Sequence, residues 1–163
     1  PADGGEAFRG TVVTSAGPDG VSPARVREFA EFPLHRALGL ALEEARPGFA
    51  RIRLDTGPLT LGGVAGSVHG GVLAAMVDIA MLQALFAGLE PDDQPAGTAD
   101  LNITYLRPAL GKRIYAVAEV LKKGRQLAVV EVSIFDEQER LCAKGRTLYA
   151  FRARSQLPKG EQA

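Results

Sequence analysis

The chain has one cysteine, no tryptophan, two histidines and no excess of either charge, and each scarcity removes a class of function. A lone Cys142 can build neither an intrachain disulfide nor a multi-cysteine metal site; it suits a reducing compartment and reads as a small buried hydrophobe. His35 and His69 are far apart, and no His, Cys and carboxylate cluster has ligand spacing, so neither a metal nor a cofactor is expected. With 19 Lys and Arg against 19 Asp and Glu, no global field draws nucleic acid or an anionic membrane, and a charged ligand has to be held locally. Long apolar runs are missing too: Val72 to Ala87 holds 16 residues, interrupted by Asp78 and Gln83, short of the ~20 that a membrane span needs. No Gly-x-Ser-x-Gly elbow or Walker loop is present. The opening PADGGEAFRG is too polar and glycine-rich for a secretory leader, so a cytoplasmic protein is expected.

What is there suits one globular domain: 163 residues, 46% of them hydrophobic. The expected organisation is a flexible arm over 1–20, a single domain over 21–152 and a frayed polar tail over 153–163. Ser22 and Pro23 predict the N-cap and first turn of a short helix. The turn signal Arg46-Pro47-Gly48 predicts a hairpin of strands near 39–46 and 49–56. Beyond a glycine-rich loop comes a long helix within GSVHGGVLAAMVDIAMLQALF, then the breaker GLEPDDQPAG. Four strands follow as TADLNITYLRP, RIYAVAEVLKK, QLAVVEVSIFDE and LCAKGRTLYAFR, with links short enough to predict antiparallel neighbours. The fold class is therefore α+β, about six antiparallel strands around one central helix. Because that helix is apolar all round and one sheet covers only one side, a second subunit is expected to complete it.

Asp78 is the anomaly in that helix. Burying an ionised carboxylate costs several kcal/mol unless it is compensated, so stability alone favours Leu or Ala at this position. Gly71, Ala74 and Ala75 share its helix face and leave a groove of small side chains. Either a ligand approaches the carboxylate along that groove, or Asp78 bonds a partner helix and fixes dimer geometry. At the helix start, His69-Gly70-Gly71 presents N–H groups without intrahelical acceptors and the positive end of the macrodipole, a site suited to an oxyanion.

Taken together, VHGGVLAAMVDIA, TADLNITYLRPALG and KKGRQLAVVEVSIFDEQERLCAKG resemble the hotdog-fold acyl-CoA thioesterases of the phenylacetate-pathway type, over roughly Leu34 to Phe151. The resemblance implies a curved sheet wrapped on the helix, homodimers or homotetramers, and active sites in which one subunit's helix start faces the other's carboxylate. It implies Asp78 as the catalytic carboxylate, acting as general base or as nucleophile. Gly70, with Gly71 beside it, becomes the N–H donor to the thioester oxygen, and Thr98 helps place water or substrate. His69 holds the loop and helix start.

One departure stands out. Related enzymes often carry Asn six residues before the motif histidine, where this chain has Gly63; Thr60, Ser67 or a water could substitute. Coenzyme A, as part of the substrate, brings phosphates, for which Arg107, Lys122, Lys123 and Arg125 are candidates, with Lys112 and Arg113 nearby; exposed turns also favour such residues for solubility alone. Phe29, Met81, Leu82, Phe86 and Tyr105 are candidate pocket walls or plain core. The alternatives are a hotdog dehydratase or isomerase and a non-catalytic acyl-CoA binding module. No nucleic-acid or membrane partner is expected.

Overall fold

The computed structural model describes residues 21–152; the arm 1–20 and the tail 153–163 lie outside the described residues. Helix α1 (Pro23–Glu31) starts as anticipated, with Ser22 Oγ accepting from Arg25 N at 3.3 Å. A second short helix, α2 (Pro33–Leu38), was not anticipated. Proline cannot sit inside a helix but suits its first turn, so Pro33 ends one helix and opens another. Gly39 terminates α2 with φ 73°.

Strands β1 (Leu40–Arg46) and β2 (Phe49–Asp55) form the predicted hairpin. The long helix α3 (Gly70–Phe86) touches every strand of the sheet. Its inward residues include Leu73, Met76, Val77, Ala80, Met81 and Ala84, packed against Ile52, Leu54, Ile114, Val130, Val132 and Ile134. No helix among the described residues is long and apolar enough to cross a bilayer. The remaining strands are β3 (Pro95–Tyr105), β4 (Arg113–Lys123), β5 (Leu127–Phe135) and β6 (Leu141–Phe151). Gly145 lets β6 come close to α3, because a Cβ there would lie 2.6 Å from Val77 Cγ1.

All six strands are antiparallel to their neighbours in the order β1-β2-β4-β5-β6-β3. One expectation fails here: β3 does not pair with β4, but with β6 at the far edge of the sheet. The physical reason lies in the link 106–112. The N–H groups of Leu106 and Arg107 both donate to Cys142 O, at 2.8 and 3.1 Å, and Ala109 O accepts from Val68 N at 3.0 Å. These bonds end β3 at Tyr105 and carry the chain across the sheet end instead of turning it back as a hairpin. Among the described residues, β3 is left with one unpaired edge, and most of its residues are exposed.

Candidate active site

The helix start is held from three directions. His69 N donates to Thr60 O at 2.9 Å, Val68 bridges Leu61, and Val68 N reaches the 106–112 link. His69 is the N-cap: its Nδ1 accepts from Gly71 N at 3.0 Å, so a neutral ring carries its proton on Nε2. Gly71's donor is thereby used, while Gly70's N–H has no acceptor among the described residues. Tyr105 lies over Gly70, its hydroxyl donating to Gly70 O at 2.8 Å, and a Cβ on Gly70 would sit 3.2 Å from the ring. Beside them opens a mainly apolar cavity of about 370 Å³, whose lining includes Gly63, Ser67, Gly70, Leu73, Tyr105 and Arg107.

Asp78 projects from the stripe of α3 that the chain's own sheet leaves least covered. Gly71 on that stripe is exposed, and Ala74, Ala75, Asp78 and Leu82 are half-buried. The carboxylate is therefore not sealed in the core, as the apolar surroundings in the sequence implied. Its Oδ1 accepts a 2.7 Å hydrogen bond from Thr98 Oγ1. A β-bulge makes that bond possible. Leu101, Ile103 and Tyr105 oppose Thr147, Gly145 and Ala143 on the inner face, and simple alternation would turn Thr98 outward; the extra residue Ala99 turns it in, opposite Tyr149. Tyr149 is a neighbour that the motif reading missed. Burial, and then the negative charge of Asp78, push its phenol above the ordinary tyrosine range. Strand alternation marks Tyr149 as inward-facing, but only the register of β6 against β3 brings it to Asp78.

Other expected residues separate. Arg107 is exposed at the cavity beside the β3 end, whereas Lys122, Lys123 and Arg125 lie at the far end of β4, about 30 Å away at strand rise. Lys123 is ion-paired to Asp93 at 2.6 Å. Arg113 sits 3.7 Å from Asp55, and Lys112 lends its carbonyl to Thr56 N. Among the candidate walls, Met81 and Phe29 are core, Phe29 stacking on His35 at 4.1 Å. Phe86 is 40% exposed and meets the edge of Tyr149. Cys142 is fully buried.

Gly70 N–H and Asp78 stand eight residues apart along one helix, which at 1.5 Å per residue is about 12 Å. A carbonyl oxygen bonded to that N–H cannot also offer its carbon to the same chain's carboxylate.

The thioesterase superfamily model matches residues 65–143, which take in the helix start, Asp78 and Thr98. A medium/long-chain acyl-CoA thioesterase of Salmonella typhimurium, YigI, is 32% identical over 130 residues, spanning 72% of this chain and 84% of that protein. Among solved structures, zebra fish thioesterase superfamily member 2 superposes with a TM-score of 0.65 at 27% identity, over 79% of this chain and 94% of that one. A Bacillus halodurans protein solved with CoA superposes with a TM-score of 0.58 at 32% identity, over 63% of this chain and 66% of that one. With a six-stranded antiparallel sheet wrapped on one long helix and relatives of this kind, the chain has the hotdog fold and belongs to the thioesterase superfamily.

Proposed function

We propose that this thioester hydrolase acts on acyl-CoA, at sites that two copies of the chain build together. The observation that carries the reading is the separation, along one helix, of a helix-start donor without an acceptor among the described residues, Gly70, from a carboxylate, Asp78. Strand β3 touches both, Tyr105 at the donor and Thr98 at the carboxylate, and its outer edge is unpaired among the described residues. Antiparallel pairing of β3 with its copy, centred near Leu101 and Asn102, sets Thr98 of one chain opposite Tyr105 of the other. Asp78 of one chain then faces Gly70 of the second. The same two-fold brings Lys122, Lys123 and Arg125 of one chain to the end that carries Arg107 of the other, where they suit the phosphates of coenzyme A.

In the reaction, the acyl carbon gains an oxygen and the C–S bond breaks, releasing free acid and coenzyme A. Asp78 either takes a proton from the attacking water or attacks the carbon itself to form an anhydride that water opens. Gly70 N–H meets the negative charge that develops on the carbonyl oxygen, a contribution of about 3 kcal/mol for a well-placed donor. Thr98 orients the Asp78 carboxylate. The test is free-thiol release from short, medium, long and aromatic acyl-CoAs by wild type and Asp78→Asn. Single turnover in ¹⁸O-water detects the second route where water opens the anhydride at the Asp78 carboxyl carbon, since only attack by Asp78 can leave label in the side chain. Wild-type protein that binds acyl-CoA without releasing thiol would replace the enzyme with a binding module.

A further inference from the structure

We propose that Ser67 is a catalytic residue of this site, its hydroxyl donating to the thioester oxygen beside the Gly70 N–H; the inference rests on the acyl-CoA hydrolase reading above. Ser67 is only 4% exposed, yet its Oγ has no hydrogen-bond partner among the described residues. The residue is buried, but its oxygen is not sealed and opens to the cavity. Thr147 Oγ1 is also unpaired, but it is sealed inside the core, whereas Ser67 lines the cavity that Gly63, Gly70 and Tyr105 also line. Two donors without protein acceptors, one O–H and one N–H, thus belong to residues three positions apart on the wall of one cavity.

The surrounding loop excludes the other candidates. Thr60 Oγ1 is spent on Gly57, accepting from its N–H and donating to its carbonyl, both at 3.0 Å. Gly63 has no room for a side chain, since a Cβ would lie 2.4 Å from Ser67 Oγ and 2.7 Å from Val68 O. The space that a residue at 63 would use to reach the cavity is filled by the hydroxyl of Ser67. The backbone that carries it is held: Gly62 N and Gly63 N both donate to Ser67 O, at 3.2 and 2.9 Å, and the next residue, Val68, is bonded to Ala109. With that backbone anchored before substrate arrives, only the hydroxyl itself has to turn as charge develops.

Ser67 acts here as a donor and not as a nucleophile. No histidine or carboxylate among the described residues hydrogen-bonds it, and His69 Nδ1 is occupied by Gly71 N–H. The serine keeps its proton throughout, shares it with the carbonyl oxygen while that oxygen carries charge, and regains it fully when the C–S bond breaks.

The test is steady-state hydrolysis of one medium-chain acyl-CoA by the full chain, comparing wild type, Asp78→Asn, Ser67→Ala, Ser67→Cys and Ser67→Thr. Ser67→Ala is expected to lower kcat by about ten- to a hundredfold, with KM, inhibition by free coenzyme A, sedimentation and Tm close to wild type. Ser67→Cys keeps the buried volume but offers a much weaker donor, so it falls with alanine and decides the case if the alanine variant melts early. Ser67→Thr, which keeps the hydroxyl, retains more activity than either. A kcat for the alanine and cysteine variants within about twofold of wild type, while Asp78→Asn is inactive, removes Ser67 alone. A wild type that releases no thiol from any acyl-CoA removes the acyl-CoA reading and this role with it.

Discussion

Thr98 Oγ1 donates a 2.7 Å hydrogen bond to Oδ1 of Asp78, joining an edge strand to the only acidic residue of the long helix. A hydroxyl bonded to a carboxylate at this length is a charge-assisted pair, and it leaves the second carboxylate oxygen for a water or an acyl carbon. Asp78→Asn is expected to lower kcat by about 10² to 10⁴. Thr98→Val, which keeps the shape and loses the donor, should cost roughly tenfold, about 1.4 kcal/mol in the barrier. Equal rates for wild type and Asp78→Asn would return Asp78 to a purely structural role.

Gly63 is constrained by space. An added Cβ meets Val68 O at 2.7 Å as well as Ser67 Oγ, and a backbone atom cannot rotate away. Gly63→Ala should therefore lower stability by about 1 to 3 kcal/mol in chemical denaturation and depress kcat in the fraction that stays folded, because the loop that ends in Gly70 has to move. A variant with unchanged denaturation midpoint and unchanged kcat would show that the loop has slack that these distances do not allow.

Thr147 offers the opposite kind of change. Its hydroxyl is fully buried on β6 without a partner among the described residues, so Thr147→Val removes an unsatisfied polar group at nearly constant shape. Stability should rise by about 1 kcal/mol, read as a higher denaturation midpoint at an unchanged m-value, with kcat unaltered. A fall in stability would mean that the hydroxyl finds a bond in solution.

His35 sets the response to mild acid. Its Nδ1 lies 2.9 Å from Phe29 O and its ring is stacked on Phe29, and burial holds its pKa below the ordinary 6.5. The unfolded chain therefore binds a proton that the folded chain refuses. Stability is complete above about pH 6.5 and declines as pH falls from there toward the lowered folded value. Tm should drop between pH 7 and pH 5, and the drop should be shallower in His35→Gln. Parallel Tm profiles for the two proteins would assign the acid response elsewhere.

Much of the architecture is legible in the chain, and the places where it is not have physical causes. Caps and periods suffice for α1, α3 and the β1–β2 hairpin, because Ser22, His69-Gly70-Gly71 and Arg46-Pro47-Gly48 act through local bonds. The position of β3 depends on Leu106 and Arg107 bonding to Cys142, a contact far along the chain, so a link of hairpin length conceals a crossover. Phe32-Pro33 reads as the end of a helix, and only the structure shows that it also begins one. At the site, Asp78 and Gly70 are conspicuous as an acid in an apolar helix and a glycine at its start. Thr98 faces Asp78 through a bulge at Ala99 that alternation cannot announce, and Tyr149 arrives through register alone. The basic residues near 107 and 122–125 look like one cluster in sequence and lie at opposite ends of the sheet within one chain.

The central claim, that each site takes Asp78 from one chain and Gly70 from another, is tested most directly by complementation. Asp78→Asn and Gly70→Val are each expected to be inactive, the second because its side chain crowds Tyr105 and the free N–H. Co-expressed with different affinity tags and purified through both, they form mixed dimers in which one site pairs an intact Asp78 with an intact Gly70. Such dimers should recover about half of the wild-type rate per dimer, one working site of two. Mixed dimers no more active than the parent variants would contradict the account.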